Sequence, residues 1–530
     1  LEPAFEMTPA DRVERAKRLI ADRAWSQALT ELALLPPSLP AALRDEADFQ
    51  IGMAHFKMRR GYDIAAEKLL GVWPRLAAVR QADALFHGAR AWSRADQDDR
   101  AIAGYKLLVE KFPHSKPAAE ASFLIGWLEF NRGRFKQALP GLADCLKRYG
   151  SSSFADDAHW YLGFSKWMLG DMAGALVEFE WLAKRSGALD GGKGRYWKAR
   201  ALLRLKRKDD AIVEWKRLAS DYAFSYYAQS ARVRLHALGV KLDAFGRAKG
   251  EKAPPPLAGN IALDRVDETL SSDDDVARAD ELLRAGLPRE AGRALERAAS
   301  ALIGRYGLAR ALPLLLDRYE KAEDFFRVHR LGERYAGGAL RRDPQADPAA
   351  RAWWQKVYPL AYRRFIEQYG PTGKNPPYYL YTIMQKESAY NPHDVSYADA
   401  IGLLQMIPPT SRRVGERIGR PYTDDVLYDP EGNIRFGAWY IGHLLEKFKG
   451  QVALGAGSYN AGPKAMIRWV KQNGARELDE FIELCSYTQT REYMKKALDI
   501  YAHYEWLYAG RDYLPDEKID AKYLDNEIDY

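Results

Sequence analysis

Residues 121–142, ASFLIGWLEFNRGRFKQALPGL, read as two apolar helical stretches joined by the polar turn Asn131-Arg132-Gly133-Arg134. Gly126 lies in the first stretch and Ala138, twelve positions later, in the second. Small residues at matched places on consecutive helices let the two axes approach closely, so a helical hairpin is expected. The pattern recurs through the first half of the chain. Ala28, Ala66, Ala101, Ala138, Ala175 and Ala211 follow one another at 38, 35, 37, 37 and 36 positions. Ala54, Ala89, Gly126, Gly163 and Ala199 stand twelve positions before the last five of them. A unit of about 35 residues repeated in this way cannot bury its apolar face alone, and stacking of neighbours gives a solenoid.

The helix–turn–helix units resemble the tetratricopeptide pattern, and residues 1–240 are expected to form a helical-repeat solenoid. Trp92, Trp127, Trp160, Trp167, Trp197 and Trp215 fall inside the repeats at helical spacing, which reads as interhelix packing rather than sugar stacking. Periodicity fails over 241–263, where Lys252-Ala253-Pro254-Pro255-Pro256 cannot continue a helix, so a protease-sensitive linker is expected there. Over 264–350 the pattern returns, with Ala279 and Ala291 twelve apart, as a second helical segment continuing the superhelix. Residues 351–515 carry the chemistry described below, and 516–530 form an acidic tail with six acids against two lysines. The expected class is mainly α.

Several function classes are set aside by composition. Among 530 residues, 47% hydrophobic and 29% charged is a globular balance, not that of a disordered or collagen-like chain. No stretch approaches the ~20 apolar residues that a spanning helix needs. The chain opens on Leu1 rather than Met and reads as processed or truncated, which leaves a leader segment or lipid anchor open. The net charge is 80 − 72 = +8, but basic residues alternate with acids and form no cluster interleaved with aromatics, so no nucleic-acid partner is expected. Cys145 and Cys485 are too far apart in the chain for a disulfide framework or a CxxC site. HExxH, GxxxxGK[ST] and calcium-loop patterns are missing, and the nine histidines show no ligand spacing, so neither metal nor cofactor is expected.

Pro376-Pro377 suit the first turn of a helix in which Leu380, Ile383, Met384 and Glu387 share one face. A carboxyl on an apolar stripe is desolvated, which raises its pKa and equips it as a general acid. Taken alone, the same carboxylate also fits a structural role, satisfied by backbone amides or an arginine. Further segments bear on the choice. Gly402-Leu403-Leu404-Gln405-Met406-Ile407-Pro408 sets one amide in an apolar run, and Gly457-Ser458-Tyr459-Asn460-Ala461-Gly462-Pro463 presents Tyr459 and Asn460 at a glycine-permitted turn. Between them Ile434, Gly437, Ala438, Ile441, Leu444, Leu445 and Phe448 mark a core helix. One acid, one buried amide and a Tyr-Asn turn suit a polar, uncharged polymer.

These residues resemble a known family, the soluble lytic transglycosylases of Gram-negative bacteria, whose catalytic domain is lysozyme-like. Glu387-Ser388 match its Glu-Ser motif, Gly402-Leu403-Leu404-Gln405 its Gly-Leu-Met-Gln motif, and Ser458-Tyr459-Asn460-Ala461-Gly462 its Ala-Tyr-Asn-Ala-Gly motif. Asp429 to Ile434 and Thr490-Arg491-Glu492-Tyr493 also fit, and the likeness covers about residues 355–510. Leu404 replaces the family's Met, and Gln489 stands where the family often has Glu. The resemblance implies cleavage of the β-1,4 bond between N-acetylmuramic acid and N-acetylglucosamine in peptidoglycan, without water, to 1,6-anhydro ends. It implies Glu387 as the catalytic acid and base, and Ser388, Gln405, Met406, Tyr459, Asn460, Gln489 and Tyr493 as substrate-binding. It further implies a periplasmic setting, peptidoglycan strands as substrate, and repeats that face cell-wall synthesis or other periplasmic proteins. A muramidase that admits water and a non-catalytic wall-binding scaffold are the rival readings.

Overall fold

The computed structural model describes residues 7–185, 190–251 and 261–519. Among them the fold is helical, and extended backbone pairs only in isolated bridges. The chain divides into two compact units, residues 1–211 and 212–530.

In the first unit consecutive helices pair as hairpins: Ala78–Arg94 with Asp98–Lys111, Ala118–Asn131 with Phe135–Tyr149, Ala155–Met168 with Met172–Ala183. The small residues at the repeat marks lie where the helices meet. Ala28, Ala54, Ala66, Ala89, Ala101, Ala138, Ala175, Ala199 and Ala211 are all 0% exposed. At Gly126 a Cβ would strike the Leu142 side chain and backbone, so the close crossing there requires glycine. The tryptophans pack as expected: Trp160 and Trp197 are buried around Phe164, with ring centroids 5.0 Å and 4.9 Å from it. Cys145 and Cys485 are free, buried, and in different units.

The second unit begins at Ile212, within the helix Lys208–Asp221, and so takes in the helix Tyr226–Ala237, which the sequence places in the solenoid. Here it lies against the long helix Thr488–Ala509. Buried Tyr227 donates to Glu483 Oε1 (2.6 Å) and accepts from Lys495 Nζ (3.1 Å). Arg234 pairs with Glu477 (2.8 Å) and Asp479 (3.0 Å), and Gln229 Nε2 donates to the Leu498 carbonyl (3.2 Å). Of the expected linker, residues 241–251 form a hydrogen-bonded turn. Asp243 accepts from the amides of Phe245 and Arg247, and Arg247 pairs with Asp343. The run Lys252 to Pro256 lies outside the described residues, as do residues 520–530 of the tail. The tail's first residues are docked, since Leu478 N donates to Glu517 O (2.7 Å) and Gln451 Nε2 to Lys518 O (3.2 Å).

Helices Asp274–Arg284, Pro288–Tyr306, Leu308–Lys321 and Phe325–Tyr335 follow, with Ala279 and Ala291 fully buried at their crossing. The centre of the C-terminal part is the helix Pro430–Lys447. Asp429 caps it through Gly432 N (2.8 Å), proline occupies its first position, and Ile434, Ile441, Leu444 and Leu445 are buried along it. No helix among the described residues is long and apolar enough to cross a membrane.

Candidate active site

The helix Tyr379–Ser388 carries Glu387 in its last turn. Leu380, Ile383 and Met384 are buried on the stripe that the spacing marked, which sinks the helix and leaves Glu387 half-buried at its end. Ala389 and Tyr390 both take positive φ (49° and 69°), so the chain turns sharply away directly after the acid. From the helix Thr488–Ala509, Tyr493 donates its hydroxyl to Glu387 Oε1 (2.6 Å). Burial pushes the Glu387 carboxyl above its ordinary value; the Tyr493 hydrogen bond and the Lys386 charge act against it more weakly. Tyr493 is itself held well above its usual value, first by burial and then by the Glu387 charge, so it stays a donor.

A groove of about 620 Å³ opens over Glu387. Its lining includes Gln405, Met406, Tyr459, Asn460 and Gln489. Glu387 is the sole carboxylate among the described residues that line it. Sequence reasoning missed Tyr397, Arg413, Tyr440 and Lys464, which also face it. Tyr440 packs its ring 5.7 Å from that of Tyr459. It sits on the core helix two positions before Gly442, where a helical aromatic reads as packing.

The wall with Gln405 is a tight turn held by hydrogen bonds. Gly402 has φ of 78°, and a Cβ there would strike Leu427 O and the Asn433 amide, so glycine is required on both counts. Gln405, also at positive φ (48°), donates its amide to Asp394 O and Gly402 O (both 3.0 Å). Fully buried Asn433 clamps the turn: Oδ1 accepts from Leu404 N (2.9 Å), and Nδ2 donates to Ile401 O (2.9 Å) and Leu427 O (2.8 Å). Its only sign in the sequence was a place in the Asp429-to-Ile434 motif.

Ser388 does not line the groove. It is buried and donates to Leu403 O (2.8 Å), tying the acid's helix to that turn, so its place is one of positioning rather than substrate contact. Tyr459 and Asn460 lie in the last turn of the helix Val452–Ala461, and the break comes two residues later at Gly462 (φ 83°). The Tyr459 hydroxyl donates to Leu404 O and lies 3.3 Å from Met406 Sδ. Asn460 Oδ1 accepts from Thr490 (2.8 Å), which leaves its amide N–H groups for a ligand. Gln489 stands exposed at the rim. No His, Cys, Asp or Glu cluster among the described residues is arranged to hold a metal.

Residues 364–482 match the family model of the transglycosylase SLT domain, and residues 83–115 match a tetratricopeptide repeat. Over 167 residues the chain is 30% identical to the soluble lytic murein transglycosylase of Escherichia coli K12, covering 31% of this chain and 26% of that protein. A putative soluble lytic murein transglycosylase of Haemophilus influenzae is 32% identical over 127 residues, 24% of this chain and 21% of the other. The chain thus spans about a quarter of the curated relatives it matches. Among solved structures, the 70-kDa soluble lytic transglycosylase in complex with bulgecin A superposes with TM-score 0.60 at 21% identity, over 96% of this chain and 74% of that one. An inactive mutant of the lytic transglycosylase Slt from Pseudomonas aeruginosa gives 0.58 at 19% identity, over 98% and 84%. The fold is that of these proteins: helical repeats followed by a lysozyme-like domain.

Proposed function

We propose, for a chain that belongs to the soluble lytic transglycosylase family through its SLT domain at residues 364–482, that it is a peptidoglycan lytic transglycosylase. The observation that carries this reading is one half-buried carboxyl, with its pKa raised, in a groove whose lining offers no second acid. Two-carboxylate glycosidases need a partner about 5–5.5 Å away to retain configuration or about 6.5–9.5 Å away to invert it. Nothing lining this groove supplies either, and this reading therefore assigns both proton transfers to Glu387.

Protonated Glu387 gives its proton to the glycosidic oxygen as the C1–O bond breaks. The resulting carboxylate, still receiving the Tyr493 hydrogen bond, accepts the proton of the muramoyl C6 hydroxyl as that oxygen closes onto C1. The product is a 1,6-anhydro ring, no water is consumed, and Glu387 returns to its starting form. Tyr459 has committed its proton to Leu404, so its oxygen can only accept. That suits an acetamido N–H, which it would hold while the acetamido oxygen stabilises the cationic carbon. Asn460 and Gln405 flank the strand, and a periplasmic setting follows from the substrate.

Replacement of Glu387 by Gln keeps the groove and the Tyr493 contact but removes the proton. The variant is expected to bind purified sacculi while clearing them at least ~100-fold more slowly. Clearing at the wild-type rate would refute the assignment.

A further inference from the structure

A second cavity, of about 380 Å³, lies on the far side of the loop that follows Glu387. One wall comes from the start of the helix Pro288–Tyr306, another from residues 322–327, and the third from Tyr390 to His393. Each of its acids has an arginine partner, though two of them share one. Glu296 and Asp324 both pair with Arg327, and Glu323 pairs with Arg364. Two cations remain: Arg289 and Arg293, one helical turn apart, make no ion pair or hydrogen bond among the described residues.

Their location is unfavourable by itself. Both lie in the first two turns of a helix, where the macrodipole disfavours positive charge. They also face His393, which burial first, and then the field of these two arginines, holds below its ordinary pKa. Counting Arg364, four guanidiniums face three carboxylates, so the pocket carries one positive charge in excess, and Arg289 and Arg293 are the cations in its lining without an ion-pair partner among the described residues. Phe326 and Tyr362 give that pocket an apolar side.

We propose that this cavity is a carboxylate-binding site in which Arg289 and Arg293 receive the acidic groups of a peptide. Guanidinium forks match carboxylates in geometry, and one charge on each arginine neutralises the pair. The paired acids on the wall disfavour a multiply charged phosphate, while Phe326 and Tyr362 suit peptide side chains. This rests on the murein reading above for its source, since that polymer carries acidic peptides, either on the strand or as released fragments. The loop connects the two sites directly: Asp394, next to His393, accepts the Gln405 amide in the groove wall (3.0 Å) and Gly402 N (2.8 Å).

The test is equilibrium binding of a fluorescent acidic tetrapeptide of murein composition to the full chain, with its fully amidated counterpart and inorganic phosphate as comparisons. The acidic peptide is expected to bind, the amidated one to bind at least about tenfold more weakly, and Arg289→Gln/Arg293→Gln to lose a similar factor. Both arginines are exposed and unfavourably placed at a helix start, so the double variant should not lose thermal stability. Equal binding of acidic and amidated peptides, wild-type affinity in the double variant, or displacement by phosphate at equal concentration would each overturn the site. Weaker retention of the double variant on intact sacculi assigns the strand-borne peptide, and unchanged retention assigns the released one. The assay needs no turnover. A chain that binds the peptide but never clears sacculi overturns the enzymatic reading alone, and the converse overturns this site alone.

Discussion

Glu387 is placed by two opposing effects, and their balance makes it testable. Burial raises its pKa, while the Tyr493 hydroxyl favours the charged form. Tyr493→Phe removes the second effect, so the alkaline limb of kcat/KM should move to higher pH. A downward shift would show that Tyr493 does not stabilise the carboxylate. Stability runs with the same sign. With the folded value raised, the native state holds the proton more tightly than the unfolded chain. That contribution is intact below the ordinary carboxylate value and is lost as pH rises through the raised one. Glu387→Gln is therefore expected to be more stable than wild type at neutral pH and equal to it at about pH 4, as read by thermal unfolding. A gap that closes toward neutral pH would contradict the assigned burial. At this scale the acid was legible because the apolar stripe of Leu380, Ile383 and Met384 ends on it. Its Tyr493 contact was not, because that partner is 106 positions away. Nor was the direction of Ser388, since nothing local tells a hydroxyl to prefer Leu403 O over the groove.

The turn at 401–406 is the element on which the groove depends. Isolated bridges of Ile401 to Val395 and to Met406 close it, and it is held by Asn433 from the core helix, by Ser388 from the acid's helix, and by Tyr459 from the Val452–Ala461 helix. Asn433→Leu would leave Leu404 N, Ile401 O and Leu427 O without their partner in a buried place, at a cost of about 2–4 kcal/mol in denaturant unfolding. Activity should fall more than stability explains, because Gln405 and Met406 would lose their positions. A variant with wild-type stability would show that water or a neighbour replaces the amide. The repeats were more readable than this turn for a physical reason. Close helix crossings admit only Ala or Gly, so Ala101 or Gly126 marks a contact in one dimension. The clamp around Gly402 draws on residues far apart in the chain.

Across the molecule, the boundary drawn by periodicity and the one drawn by contacts fall in different places. The helix Tyr226–Ala237 has repeat-like sequence, yet its polar face is committed to the C-terminal part through Tyr227–Glu483, a pair 256 positions apart. The ring of Phe224 stacks on His503 at 4.4 Å, and Trp354 lies 5.1 Å from the same imidazole. A fragment beginning at 355 would expose the surface that Tyr226–Ala237 covers and lose the hydrogen bonds of Tyr227 to Glu483 and of Gln229 to the Leu498 carbonyl. It is expected to unfold several degrees below a fragment beginning at 212, since about 1–3 kcal/mol for the lost burial and hydrogen bonds moves the midpoint of a domain this size by that amount. Equal midpoints for the two fragments would show that the helix is a passenger.

The central claim is that one carboxyl does the work of two because the muramoyl C6 hydroxyl takes the place of water. The direct measurement is mass spectrometry of products released from purified sacculi by the full chain in heavy-oxygen water. The account predicts 1,6-anhydromuramoyl ends without label, as expected when a tethered hydroxyl outcompetes solvent. Reducing muramic ends carrying the heavy oxygen would contradict it, and would make Glu387 the acid of a hydrolase.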